Sequence, residues 1–452
     1  MADRYWVGGA GTWNSANTAN WSDTSGGAGG FSVPTINDDV YFDLLSSAVG
    51  YIVTTPSDTT SMLCRSLNVA GPATGTLTFS NTNSTVRISG NLTHAAAGVV
   101  WGSSVGLVFV STTTGNTITT NGFLFQNSHV FNGVGGEWTL QDSVTVASNR
   151  ALTLTNGSLN LNGNTFTCGL FSSNVNTTRT LAFGTGKIVL TGNNTSVLSL
   201  SAVNLTVSGS RRIELNYTGA VGTRTLGLVA SVTEATAFDF YVLAGTDIVT
   251  TTGNARGARD LDFTGFAGTY TLNPGATVGI FGNLTFSAGM TLSAATIGLE
   301  FRGSTGTQTV TADGKTFDFP VGVASTGSIV KFVEALTLGA TRTLTLTSGT
   351  VEFLAGSTNT AGTFIIAGSP SITLQSSIPG TQYTLSQASN TVDATNMTVS
   401  DSNAAGGAMW NAYVDQGNTD AGNNNGWDFG ASPQASYEIT YRLRSFSTPR
   451  RF

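Results

Sequence analysis

The chain has 452 residues, of which 56 are glycine, 9 are proline and only 10% are charged, against about 25% in ordinary soluble proteins. A hydrophobic content of 40% with a net charge of −6 excludes disorder, and the scarce proline excludes collagen. Coiled coils need many Glu and Lys residues, and this chain has 7 and 3. Thr, Ser, Asn, Gly, Val, Leu and Phe fill the chain instead, which predicts an all-β protein.

The charge and the apolar pattern also limit the partners. A net charge of −6 argues against nucleic-acid binding, and the longest apolar stretch, residues 105–110, is too short to span a membrane. The N-terminal residues lack the apolar segment of a signal peptide, so we expect neither secretory export nor membrane insertion. Cys64 and Cys168 are too few for a disulfide framework and are expected to be buried thiols.

Residues 1–45 form a Trp- and Gly-rich N-terminal module. Trp6, Trp13 and Trp21 lie there among Gly, Asn and Ser residues. Tryptophan rings are mostly buried in folded proteins, which favours a compact module held together by packed rings. The alternative is a row of exposed rings that stack on sugars, and these three tryptophans are the candidates for that role.

Residues 46–390 alternate between short apolar strands and turns. The segment ALTLTNGSLNLNG at 151–163 places apolar residues two apart, so that they share one face of a strand. Short strands separated by turn pairs fit an elongated β-solenoid of stacked coils, and a string of β-sandwich domains is the alternative. Because no linker-like composition interrupts the run, we favour the solenoid and divide it into segments 46–162, 163–257 and 258–390.

An internal duplication accompanies this pattern. The sequence GNLTHAAAG at 90–98 recurs as GNLTFSAGM at 282–290. The same offset places residues 143–161 on residues 335–353, where every inward position stays apolar. Residues of about 64–162 and 258–355 are therefore predicted to be two copies of one module.

Two further segments end the chain. Residues 391–432 are rich in Asn, Gly and Asp and contain Trp410 and Trp427, which predicts a turn-rich cap closed by aromatic packing. These two tryptophans are also candidates for ligand contact. Residues 433–452 carry four arginines and one glutamate, a charge of +3, and alternate like a strand. A lone strand must pair, so this basic tail is expected to dock on the solenoid or on another chain.

The sequence offers few groups for catalysis. Its two histidines, His94 and His129, align with Phe286 and Val321 in the second copy, which indicates structural positions rather than catalytic bases. The carboxylate pairs considered for glycosidic hydrolysis are Glu137 with Asp142 and Asp260 with Asp262. Three of these acids align with residues that are not acids, namely Ile329, Ser66 and Asn68. We expect no enzymatic activity and assign no catalytic residue, with a glycan depolymerase as the alternative.

A cation site is the one cofactor hypothesis that the sequence supports. The stretch DQGNTDAGNNNGWD at 415–428 concentrates oxygen ligands of the kind that Ca²⁺ binds. Asp415, Asp420 and Asp428 are the candidate ligands. Their spacing is not that of an EF-hand, and tight turns use the same residue types. Two cysteines and two histidines are too few for a zinc site, so no other cofactor is expected.

Three stretches resemble a group of tailed-bacteriophage virion proteins, and similar stretches occur in large bacterial surface proteins. They are YWVGGAGTWNSANTANWS with VPTINDDVYFD, SLNLNGNTFTCGLFSSNVNTTRTLAFGTG, and SDSNAAGGAMWNAYVDQGNTDAGNNNGWDF. The resemblance implies a β-solenoid tail fibre or spike-like protein, often a homotrimer, located in the virion. It implies other virion proteins and a host surface glycan or protein as partners, and it carries no catalytic residues over.

Three functions are therefore open at this point. The first is a non-enzymatic tail fibre or spike-like appendage that contacts the host through several weak sites on a symmetric oligomer. The second is a depolymerase spike that cleaves surface polysaccharide. The third is a head fibre or decoration protein without a receptor.

Overall fold

The computed structural model describes residues 2–57, 62–80, 83–228, 232–252, 256–272 and 275–433. Apart from a 3₁₀ turn at Val414–Gln416, every element defined within these ranges is a β-strand, as the composition predicts. The chain divides into two compact units, Met1–Val249 and Thr250–Phe452. Across the described ranges, no helix has the length and apolar character needed to cross a membrane.

Short strands follow one another along both units. The first unit contains β1 (Asp3–Trp6), β2 (Gly11–Thr12), β3 (Trp21–Ser22), β4 (Asp39–Phe42), β5 (Tyr51–Thr54), β6 (Met62–Cys64), β7 (Leu67–Val69), β8 (Leu77–Ser80), β9 (Ser84–Ile88), β10 (Leu92–His94), β11 (Val99–Trp101), β12 (Val105–Phe109), β13 (Asn116–Thr119), β14 (Leu124–Phe125), β15 (His129–Leu140), β16 (Val144–Val146), β17 (Ala151–Asn160), β18 (Thr165–Cys168), β19 (Leu170–Ser173), β20 (Arg179–Ala182), β21 (Lys187–Leu190), β22 (Leu198–Leu200), β23 (Leu205–Ser208), β24 (Arg212–Leu215), β25 (Thr223–Leu228) and β26 (Asp239–Val242). Strand β27 (Ile248–Thr252) includes the last residues of the first unit and the first residues of the second. The second unit contains β28 (Arg256–Ala258), β29 (Leu261–Asp262), β30 (Thr269–Leu272), β31 (Val278–Ile280), β32 (Leu284–Thr285), β33 (Thr291–Leu292), β34 (Leu299–Phe301), β35 (Thr307–Thr311), β36 (Thr316–Phe317), β37 (Val321–Phe332), β38 (Thr337–Leu338), β39 (Thr343–Phe353), β40 (Thr358–Thr360), β41 (Thr363–Ser376), β42 (Tyr383–Gln387), β43 (Thr391–Asp393), β44 (Thr395–Val399), β45 (Ser402–Gly406), β46 (Met409–Asn411) and β47 (Thr419–Asp420).

In the first unit, strands pair in parallel with strands one coil further along the chain. Val40, Leu67, Leu92 and Ile118 form one such row, and each lies one coil beyond the residue before it. Strands β1 and β3 are an exception, since they pair antiparallel within the N-terminal module. Parallel pairing between successive coils defines a β-solenoid, so the predicted fold class is confirmed. The alternative of antiparallel β-sandwiches is wrong.

Alternation along each strand sends apolar side chains inward, where they stack from coil to coil. Val86, Leu107, His129 and Leu152 occupy successive places in one interior row, and all four side chains are fully buried. The strand residues flanking them, such as Thr85, Arg87 and Thr153, point outward and are partly exposed. Each coil therefore buries its apolar face on its neighbours, as the period of two in the sequence predicts.

The second unit has the same construction. Its strands form a parallel row of five buried side chains, Val278, Leu299, Val321, Leu344 and Phe364. Successive members of this row lie closer together in the sequence than those of the row from Val40 to Ile118. Equivalent coils of the two copies have equal lengths, since Leu284 pairs with Val310 at the same separation as Leu92 pairs with Ile118.

The backbone shows the same internal repeat as the sequence. Strands β15 (His129–Leu140) and β37 (Val321–Phe332) begin and end at the offset that relates the two copies. Their pairing with the next coil also matches, since His129 pairs with Leu152 and Val321 pairs with Leu344. Both pairings shift register after their third residue pair, so even this irregularity is repeated.

The boundary between the two units lies inside the predicted segment 163–257, near its end. The predicted C-terminal strand lies outside the described residues, which end at Pro433.

Candidate functional site

The three N-terminal tryptophans form a closed aromatic cluster. Trp6, Trp13 and Trp21 are fully buried. The ring centroids of Trp6 and Trp13 lie 5.0 Å and 5.6 Å from that of Trp21, and Phe42 packs against all three. These rings hold the module together, as the packing interpretation proposed. The sugar-stacking alternative is corrected for these positions, because no ring face is open to a ligand.

The two C-terminal tryptophans pack against each other. Trp410 is buried between Phe364 and Trp427, with ring centroids 5.2 Å and 5.1 Å away. The indole N–H of Trp427 donates to the Ser402 hydroxyl at 3.1 Å, and its ring is half-buried. The cap is thus held by aromatic contacts, and Trp427 alone of the five candidate tryptophans retains partial exposure.

His94 is a hydrogen-bonded core residue. Its Nε2 accepts a hydrogen bond of 2.9 Å from the indole N–H of Trp101, which fixes the ring as a neutral imidazole with its proton on Nδ1. Nδ1 lies 2.6 Å from the carbonyl oxygen of Ala95, to which it donates. Burial lowers the pKa of His94 to about 4. A histidine held neutral between two partners in the interior does not face solvent as a catalytic base.

His129 is buried among aromatic rings. Phe109, Phe125 and Phe166 lie within ring-contact distance of it, with centroids 5.8 Å, 4.8 Å and 6.0 Å away. Within the described part of the chain, neither ring nitrogen makes a well-formed hydrogen bond, although the Asn127 backbone lies close enough to act on the ring. Burial lowers the pKa of His129 to about 4. Its place in an apolar row explains why the second copy has Val321 there.

Asp142, one of the candidate acids, closes a turn. Its carboxylate accepts the backbone N–H of Thr120 at 2.8 Å and that of Asn121. Its counterpart in the second copy, Glu334, accepts the backbone N–H of Asp313 at 2.6 Å. Because both acids accept a backbone N–H at the same turn, Asp142 has a structural role. This argues against a catalytic carboxylate pair of Asp142 with Glu137.

Asp260 and Asp262 also accept backbone hydrogen bonds. Asp260 accepts the N–H of Asn283 at 2.7 Å, in the place where the Ser66 hydroxyl of the first copy accepts the N–H of Asn91 at 3.4 Å. Asp262 accepts the N–H of Thr264 at 2.7 Å. Both acids thus stabilise the backbone beside them.

The three candidate calcium ligands are not brought together. Asp415 accepts two hydrogen bonds from Ser432, which lower the pKa of this carboxyl group. Asp420 accepts the N–H of Gly422, and Asp428 accepts the N–H of Gly430, each at 2.9 Å. The described residues contain no cluster of three or more acidic, His or Cys side chains suited to a metal. The calcium prediction is therefore corrected, because Asp420 and Asp428 each cap a local turn while Asp415 binds Ser432.

A different surface feature emerges on the outer face of the first unit. Tyr5, Tyr41, Asn68, Thr93 and Thr119 follow one another there, because their strands pair in parallel. The rings of Tyr5 and Tyr41 stack with centroids 4.6 Å apart and planes 14° apart. Burial and the nearby carboxylates of the module raise the pKa of both phenols, so both remain neutral. We call this row the tyrosine column.

A cavity of about 440 Å³ lies beside the tyrosine column. Its lining includes Tyr41, Asn68 and Thr93 of the column together with Asp43, Ala70, Ala95 and Asn121. This cavity was not predicted from the sequence. The sequences DRYW at 3–6 and DVYF at 39–42 share the order Asp, Tyr and buried ring, which indicates two equivalent strands. Their separation in the sequence differs from that of the two module copies, so the comparison of the copies does not detect them.

No known protein family, no curated protein and no solved structure matches this chain.

Proposed function

We propose that this chain is a structural protein of a tailed-bacteriophage virion, a tail fibre or spike-like appendage that contacts the host surface. The observation that carries the proposal is the use of ionisable side chains to hold coils together. Asp142 and Glu334 close equivalent turns, Asp260 caps a backbone N–H, and His94 and His129 are buried in the core. Because these ionisable side chains stabilise the backbone or lie in the core, they favour a structural protein over a depolymerase.

The sequence resemblance supports the phage setting. The three stretches that carry this resemblance lie at the start, in the middle and near the end of the chain, so they cover parts of both units. A solenoid is suited to an appendage because each coil is stabilised by its neighbouring coils alone. Each coil also presents side chains to solvent at the same positions as the coil before it. Repeated weak contacts gain strength through effective concentration when several copies act together.

Assembly into a homotrimer, attached to other virion proteins, is part of the proposal. One copy has a mass of 46.5 kDa, so sedimentation of the purified protein should give about three times that value, near 140 kDa. A species that stays at 46.5 kDa at all concentrations would contradict the trimer.

Competition for host attachment tests the function directly. Host cells incubated with purified protein should adsorb fewer particles, because receptors are already occupied. Heat-unfolded protein at the same concentration serves as the control. Unchanged adsorption contradicts the host-contact role and favours a head decoration protein. Release of reducing ends from host polysaccharide would instead establish the depolymerase.

A further inference from the structure

We propose that the tyrosine column of the first unit binds one sugar residue of a neutral oligosaccharide against the ring of Tyr41. The inference deepens the proposed host contact and rests on it for its biological setting. The binding itself is a property of the folded chain and is measurable on purified protein.

Tyr5 covers one face of the Tyr41 ring, and the cavity is lined by Tyr41 but not by Tyr5, so we infer that the other face of the ring meets the cavity. Tyr5 stacks on Tyr41 from the preceding coil, with 4.6 Å between centroids. The next two places in the column are Asn68 and Thr93, whose side chains are much shorter than a tyrosine. The step from long to short side chains leaves the cavity of about 440 Å³ on the side of Tyr41 away from Tyr5.

An open aromatic face beside a cavity is suited to the flat apolar face of a pyranose ring. Such a contact gains dispersion energy over many atom pairs, and the Tyr5 stack holds the Tyr41 ring in place for it. Ala70 and Ala95 add small apolar groups to the lining. The volume lies within the range of about 300 to 1,000 Å³ typical of ligand pockets.

Uncharged polar groups lie where sugar hydroxyls would be. Asn68 is half-buried and its amide makes a long hydrogen bond of 3.4 Å to the Val40 carbonyl, so it can turn toward a better partner. The Thr93 side chain is exposed beside it. Amide and hydroxyl groups both donate and accept, which matches the hydroxyl groups of a sugar.

The charges around the cavity favour a neutral ligand. Its lining residues include Asp43 and no lysine or arginine. Asp43 already accepts hydrogen bonds from the Ser25 hydroxyl at 2.6 Å and from the Leu45 N–H at 2.9 Å. A phosphate or an acidic sugar would therefore meet a carboxylate without a compensating cation.

The second copy of the module supplies a matched control. Asp262, Thr285 and Thr311 pair in the corresponding row of the second unit, and none of them is aromatic. Thr285 corresponds to Thr93 but lies outside the Tyr41 site, so its replacement controls for effects that do not involve the site.

Isothermal titration of the full chain with maltohexaose, cellohexaose, mannohexaose and a galactose hexasaccharide tests the site. The wild-type protein should bind at least one of them. Tyr41→Ala should weaken that binding about tenfold, which corresponds to the loss of a ring contact worth about 1.4 kcal/mol. Tyr41→Phe should keep most of the affinity, because the ring face remains.

Thr285→Ala, in the matched row, should bind as the wild type does. Asn68→Ala provides a second variant should Tyr41→Ala fail to fold, and it should weaken binding several-fold. Binding to none of the four sugars, or equal binding by the wild type and a folded Tyr41→Ala protein, overturns the site. Sugar binding by a chain that is absent from phage particles would overturn the proposed function and leave the site standing.

Discussion

Asp142 and Glu334 occupy equivalent places in the two copies of the module and accept the same kind of hydrogen bond. Asp142 accepts the backbone N–H of Asn121, and Glu334 accepts that of Asp313. Both donors have positive backbone φ angles of 50°. Asn and Asp tolerate this left-handed conformation better than most residues, and the carboxylate satisfies an N–H that the turn leaves without a strand partner. The duplicated unit therefore includes its turns as well as its apolar rows.

Loss of the Asp142 carboxylate should destabilise the first unit. In Asp142→Ala the N–H groups of Thr120 and Asn121 lose their acceptor, which should cost about 1 to 3 kcal/mol. Urea unfolding should show the loss as a lower midpoint. Asp142→Glu, which adopts the side chain of the second copy, should recover most of it. The exposed Asp23 is the control, and Asp23→Ala should stay within about 0.5 kcal/mol of the wild type. An unchanged midpoint in Asp142→Ala would contradict the turn-closing role.

Replacement of His129 by the residue of the second copy should stabilise the protein. His129→Val removes two buried ring nitrogens that make no well-formed hydrogen bond within the described ranges and places an apolar side chain in the interior row. His94→Phe, the matching exchange at the other histidine, should not stabilise, because the Trp101 indole N–H then loses its acceptor. Thermal melting of both variants beside the wild type measures the contrast. A lower melting temperature for His129→Val would contradict it.

The same histidines should make stability fall in acid. Burial lowers the pKa of His94 and of His129 to about 4, whereas unfolded histidine titrates near about 6.5. Above about pH 6.5 both are neutral in either state, and below it the unfolded state binds protons first, so the unfolding free energy falls by about 1.4 kcal/mol per pH unit and histidine as pH drops toward 4. Urea midpoints at about pH 7.5 and about pH 5 should therefore differ less in His129→Val than in the wild type. Equal differences would show that His129 does not titrate in this way.

A buried ion pair joins strand β25 to the bend that precedes β27. Arg224 and Asp247 are both fully buried, and two guanidinium nitrogens donate to the two carboxylate oxygens at 2.8 Å each. Asp247→Ala leaves a buried cation without its anion and should cost about 3 to 5 kcal/mol. The double variant Arg224→Met/Asp247→Leu should recover most of this loss, which urea unfolding can measure.

The exposed pair of Arg302 and Glu300 is the comparison, since both side chains are partly in solvent. Glu300→Ala should change stability by about 1 kcal/mol or less. A similar effect of Asp247→Ala and Glu300→Ala would show that burial does not set the strength of the first pair.

Removal of divalent cations should leave the C-terminal cap unchanged. Asp415, Asp420 and Asp428 each accept hydrogen bonds from nearby residues of the cap, so the turns do not depend on a shared ion. Thermal melting in EDTA and in excess calcium should give the same transition. A clear rise in melting temperature with calcium, abolished by Asp420→Asn, would contradict this assignment.

The fold was predictable from the sequence because its signals are repeated. Apolar residues two apart at positions such as Leu152 and Leu154 give one buried face, and the same pattern returns at Leu344 and Leu346 in the second copy. Substitution of His94 and His129 by apolar residues in the second copy likewise predicted their burial. At a duplicated position, the two copies show two residue types that fit the same structural environment. A single sequence without a repeat shows only one.

Site residues outside the duplication were harder to predict. Asp, Asn and Gly serve both cation binding and tight turns, so the composition of 415–428 did not distinguish a calcium site from the turns that the structure shows. Tyr5 and Tyr41 meet only because a long N-terminal coil brings their two strands side by side, at an offset that the comparison of the two copies does not sample. Exposure of a tryptophan depends on its neighbours in space, and spacing along the chain carries no information about them.

Gold-labelled antibodies against the chain, applied to intact phage particles in the electron microscope, locate it on the virion. We expect label on the tail or its appendages. Label confined to heads, or particles without label from lysates that contain the chain, would show that the chain is not a tail fibre or spike-like appendage.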